Sequence, residues 1–166
     1  MKRKTGKLKR LIREVHEQIS KIDPFVTQVL QAHFLVEKLI DAILDALAKS
    51  PEHLRRNSSF GSKVRLIRAF APSGNDEHWD LIAAMTSVRN EVAHKFYGPK
   101  RDEAMSKLRK VLEDLASNDN DSAEIVGADY DVLLVCTAEL QSFLKSLLCE
   151  VSGQNVERPL LHDGTE

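Results

Sequence analysis

Only two cysteines, seven glycines and five prolines are spread over 166 residues, and aromatic residues amount to 5%. So few chain breakers argue against a turn-rich sheet protein and against a disordered chain, which leaves helix as the default. The thiols of Cys136 and Cys149 fall thirteen residues apart in one predicted helix. At 1.5 Å of rise per residue that is about 20 Å, too far for them to bond to each other. With no CxxC spacing and no Cys/His cluster, no zinc or other metal site and no cofactor are expected, and the thiols read as reduced, small core residues. No apolar run approaches the roughly 18 residues that span a bilayer, and no apolar segment follows the basic N-terminal residues as in a secretory signal. The expected setting is therefore cytoplasmic, without a membrane partner. Gly-rich phosphate loops, internal repeats and low-complexity tracts are also missing.

What is present is 42% hydrophobic and 30% charged residues, at a length that fits one compact domain. The formal net charge of -1 conceals an asymmetry, because Lys2, Arg3, Lys4, Lys7, Lys9, Arg10 and Arg13 all precede the first acid, Glu14. Residues 1–13 read as a basic arm suited to nucleic acid phosphates or an acidic partner. From Leu8 onward, Leu11, Ile12, Val15, Ile19 and Ile22 continue one amphipathic helical stripe. Asp23-Pro24 breaks it and starts a second helix, since aspartate suits an N-cap and proline the first helical position.

That second helix is predicted to end near Ala48, with Phe25, Val29, Phe34, Leu35, Leu39, Ile43 and Leu47 inward and Lys38, Asp41 and Asp45 in water. A turn-rich connector, Ser50 to Ser59, leads to a short helix that buries Phe60, Val64, Leu66, Ile67 and Phe70 and stops at Pro72 and Gly74. Asn75 caps the next helix, which is buried through Trp79, Leu81, Ile82, Met85, Val88 and Val92 and ended by Gly98-Pro99. Met105, Leu108, Val111, Leu112 and Leu115 outline another, followed by a polar loop at 117–122 that lacks the ligand spacing of a calcium loop. A last helix from Tyr130 to Val151 buries Leu133, Leu134, Leu140, Phe143, Leu144 and Leu147. The chain reads as all-α, a single-domain helical bundle of five to six helices over residues 1–152, with a disordered tail over 153–166.

Arg89-Asn90-Glu91-Val92-Ala93-His94 is the one segment that points to chemistry. Arginine grips a phosphate with planar, paired donors, and histidine exchanges a proton near neutral pH. Together they suit phosphodiester chemistry without a metal. Asn90 and His94 stack on one helical face, whereas Arg89 and His94 lie about 140° apart. The two therefore converge only if the helix loosens near Ala93 or the arginine reaches around. A helix C-terminus would also tend to raise the imidazole pKa. His16, His33, His53, His78 and His162 lack ligand spacing and read as surface or packing residues, and Ser58 and Ser59 have no nearby base.

Taken with Phe34-Leu35-Val36-Glu37-Lys38-Leu39-Ile40 and Phe60-Gly61-Ser62-Lys63-Val64-Arg65-Leu66-Ile67, the Arg-Asn-x3-His segment resembles the HEPN superfamily, and within it the mannitol operon repressor-like branch, over residues 32–96. The resemblance implies a helical bundle that forms a homodimer with its motifs facing across the interface. It also implies a metal-independent ribonuclease in which Arg89, Asn90 and His94 form the active site, Glu37 and Lys95 support it or bind substrate, and RNA is the partner. Phe96 stands where toxin members of the superfamily carry tyrosine. Two placements stand open for Glu37: inward, paired with a cation of which Arg89 is the natural candidate, or exposed near Lys38 or Asp41. An antitoxin or regulatory protein is a further implied partner. The alternative is a non-catalytic, mannitol repressor-like regulatory or protein-interaction module, for which no DNA-reading helix-turn-helix is recognisable.

Overall fold

The computed structural model of the chain describes residues 2–19, 23–48, 53, 58–70, 76–94, 99–118 and 127–153. Among them are six helices and no strand: α1 (Lys2–Ile19), α2 (Pro24–Leu47), α3 (Phe60–Phe70), α4 (Asp76–His94), α5 (Pro99–Asn118) and α6 (Asp129–Val151). The tail expected to be disordered, apart from Gly153, and the cap expected at Asn75 lie outside the described residues.

Local chemistry sets several boundaries. The Asp23 carboxylate accepts a hydrogen bond from the Phe25 backbone N–H at 2.9 Å, and Pro24 occupies the first helical position of α2, so one orphan donor is satisfied and the missing proline N–H costs nothing. Pro99, expected to end a helix, instead opens α5, where its fixed φ is equally compatible. The basic arm is helical, since α1 already begins at Lys2.

Helix α2 lies at the centre, packed on α6, α4 and α3, while α4 also packs along α5. Arg101, near the start of α5, approaches Asp23 at 3.6 Å and Asp129 at 3.9 Å, so α2, α5 and α6 begin at one end of the bundle. The Trp79 ring meets Phe143 edge-on at 5.2 Å and the His78 ring stacks on the same ring at 4.4 Å, so α4 starts beside the later half of α6 and runs the other way.

Every residue expected inward on α4, from Trp79 to Val92, is buried. The expectation for α2 needs correction. Its buried row is Phe25, Val26, Val29, Ala32, His33, Val36, Ile40, Ile43 and Leu44, whereas Phe34, Leu35 and Leu47 are exposed. Three neighbours press on α2 from one side, so position on the helix outweighs side-chain size, and Ala32 and His33 go inside while Phe34 stays out under the Lys38 ammonium; Leu47 shares the inner face but is the last residue of the helix. Phe70 and Leu134 are likewise exposed, at the last residue of α3 and on the outer side of α6. Asp41, expected in water, is half-buried against Lys63.

Cys136 is buried, which together with the Glu139 charge pushes its thiol up to about 12, while Cys149 is only half-buried. Helix α6, 23 residues long, holds an 18-residue window of mean hydropathy 1.5 and so is long and apolar enough to cross a membrane by length and composition, although Glu139 and Lys145 interrupt its apolar run. Its inner side, including Leu133, Leu140, Leu144 and Leu147, is core of the bundle.

Candidate functional site

Three polar residues on α2, His33, Glu37 and Asp41, follow one another at four-residue steps and so share one face of the helix. Two other helices meet that row. From α3, Lys63 reaches in with only 5% of its surface exposed. Its Nζ donates to Asp41 Oδ1 at 2.7 Å and to Glu37 Oε1 at 3.5 Å. Burial alone would lower the Lys63 pKa, but the hydrogen bond and charge of Asp41, and then Glu37, outweigh it and hold the ammonium protonated. The cation that meets Glu37 is thus Lys63 and not the expected Arg89. The reason is the short reach from α3, whose Lys63 shares a row with the buried Ile67 and the half-buried Phe60.

His33 is buried, with its ring tilted against Phe60 at 4.5 Å between centroids. Its Nε2 has no hydrogen-bond partner among the described residues. Burial first, and then the charge of Arg89 on α4, lower its pKa, with Glu37 opposing. The imidazole is held neutral, within electrostatic reach of Arg89.

Arg89 is half-buried and its Nη1 donates to Asn90 Oδ1 at 3.1 Å. Helix α4 stays regular through its last residue, His94, so the loosening expected near Ala93 does not occur. The guanidinium turns instead toward Asn90, the residue one helical turn before His94 and on the same face. The His94 side chain, Lys95 and Phe96 lie outside what the structure describes. A cleft of about 310 Å³ opens between α3 and α4, lined by residues including Val64, Arg65, Arg68, Trp79 and Thr86. Thr86 is three residues before Arg89, so the cleft runs toward the motif along one face of α4. Arg68 on its rim is paired with Asp76 at 2.5 Å.

The segment from Arg89 to His94 was visible as a local motif, but His33 and Lys63 were not singled out as part of the site. Their signal is faint in one dimension: a histidine four residues before Glu37, and a lysine on the apolar row of a short helix. Comparison with known proteins finds no matching family model, no matching curated protein and no matching solved structure.

Proposed function

We propose that this chain is a metal-independent endoribonuclease on a HEPN-like bundle, acting in the cytoplasm as a homodimer whose motifs face each other. The observation that carries this reading is the turn of the Arg89 guanidinium toward Asn90, on the helical face where His94 closes α4. This arrangement brings a permanent cation toward the helical face on which position 94 falls by its four-residue step from Asn90. The arginines lining the α3/α4 cleft, Arg65 above all, lend further support as contacts for a ribose-phosphate strand.

In the proposed reaction the ribose 2′-oxygen bonds to the adjacent phosphorus as the 5′-oxygen leaves, giving a 2′,3′-cyclic phosphate. His94 moves the proton, and Arg89 stabilises charge on the non-bridging oxygens. Asn90 orients the substrate or the imidazole, and Lys95 adds charge for a flanking phosphate. Glu37 acts at one remove, by fixing Lys63 between α2 and α3. Since a positioned acid or base contributes on the order of 100- to 10,000-fold, His94→Ala and Arg89→Ala should each remove most cleavage of single-stranded RNA in chelating buffer while circular dichroism stays unchanged. Undiminished cleavage by either variant rejects the assignment. As a toxin or defence protein, the chain would also slow growth on expression, and His94→Ala would relieve it.

A second reading, a mannitol repressor-like regulatory or protein-interaction module, is favoured by the apolar side chains exposed on α1 and α6, which an antitoxin or other protein partner would cover. It predicts no cleavage by the wild type under any of these conditions.

A further inference from the structure

Helices α3 and α4 both pack on α2 but make little contact with each other, and the cleft of about 310 Å³ is the space left between them. That volume sits at the small end of the range for small-molecule sites, roughly 300–1,000 Å³. The floor is apolar, set by the buried Trp79 and Ile82 with the half-buried Val64. Each wall also carries a minimal side chain. Gly61 on α3 has none, and a Cβ there would meet nothing within 4 Å, while Ala83 on α4 is exposed and ends in a methyl. A slot between small residues over an apolar floor suits a flat aromatic group.

The lining carries both signs of charge, Arg65 from α3 and Asp80 from α4. Both are exposed, and among the described residues neither is held in an ion pair, with the other or with a third group. Arg65 makes only a long contact to Ser62 Oγ at 3.4 Å, whereas Arg68 beside it is paired with Asp76. The fitting ligand therefore has a planar body, an anion at one place and N–H donors at another. A nucleoside phosphate has that layout. An amino acid, whose two charges share one carbon, suits two groups that stand apart less well. The base follows from Asp80, because a carboxylate only accepts. Guanine alone among the RNA bases sets a ring N–H next to an amino group; adenine and cytosine place a bare ring nitrogen there, and uracil flanks its N–H with carbonyls. From these observations we infer that the α3/α4 cleft binds a guanosine phosphate, with the base in the slot beside Gly61 and Ala83, its paired N–H groups on Asp80 and its phosphate on Arg65. The same chemistry is offered by a free nucleotide and by one guanosine of an RNA strand. This inference concerns binding and does not depend on ribonuclease activity.

Trp79 is the single tryptophan of the chain and lines the cleft, so its fluorescence, checked by calorimetry, reports occupancy. Titrating the full chain with guanosine monophosphate should give a saturable change, with affinity on the order of tenfold or more above that for adenosine monophosphate. Leucine, the zwitterionic control, should give none. Asp80→Asn turns a double acceptor into one acceptor and one donor, which matches adenine, so it should invert the preference of the two nucleotides. Arg65→Ala should weaken the nucleotide but leave the binding of unphosphorylated guanosine unchanged. Ala83→Leu, a helix-favouring change at an exposed position, should abolish binding with circular dichroism unaltered. A wild type that binds no guanosine monophosphate overturns the inference, as do equal affinities for the two nucleotides or an Asp80→Asn protein that still prefers guanine. A short 2′-O-methyl RNA with one guanosine, which cannot be cyclised, identifies the source: tighter binding than the mononucleotide supports a strand, and equal binding supports a free nucleotide. Binding without RNA cleavage rejects the ribonuclease reading alone, and cleavage without guanosine binding rejects this inference alone.

Discussion

His33 shows how one residue couples the core to the motif. Its folded pKa lies below the ordinary 6.5 because burial and then Arg89 both disfavour the imidazolium. The unfolded chain therefore binds the extra proton more readily, and the stability held by neutral His33 is fully present above about pH 6.5 and lost as pH falls through the lowered folded value. Melting temperature should drop between pH 7 and pH 5 in the wild type. In His33→Phe, which keeps a ring against Phe60 but cannot titrate, that acid-side slope should flatten. An unchanged slope would mean that other groups govern acid unfolding. Neither the burial of His33 nor its proximity to Arg89 can be read from the residue itself, since 56 positions separate the two in the chain. The motif, by contrast, spans six consecutive residues and was plain from the start.

At the scale of elements, caps and face patterns decide the outcome. Asp23 satisfies the Phe25 N–H at the start of α2, so Asp23→Ala should cost about 1 kcal/mol in chemical denaturation, within the usual 0.5–2 for a lost cap. Asp23 also faces Arg101, so Asp23→Asn, which retains a capping oxygen, separates the cap from the charge. Both the cap and the helix start were legible in the Asp-Pro pair. The face of α2 was legible only in part. Its apolar residues occur almost all round the helix, and the choice of Val26, Ala32, His33 and Leu44 for the interior over Phe34, Leu35 and Leu47 depends on where α3, α4 and α6 come to rest. Helix α4 has large apolar residues on one side only, which is why its interior was read in full.

Among the described residues, one continuous core joins α2 to α6, with Ile40 fully buried in the later half of the longest helix. Truncating it to alanine removes apolar burial and leaves a cavity, so Ile40→Ala should lower unfolding free energy by about 2–5 kcal/mol with little change in denaturant slope. A loss under about 1 kcal/mol would imply that the surrounding helices close the gap. By itself, the sequence determined the all-α class and most helix boundaries, and it singled out the Arg89–His94 segment, because capping, periodicity and short motifs act between residues a few positions apart. Only the tertiary structure decided that Lys63 rather than Arg89 meets Glu37, that His33 lies within the field of Arg89, and that α1 keeps an apolar stripe in solvent. Those outcomes depend on which helices approach one another, and burial and ion pairing are set by that approach rather than by neighbours in the chain.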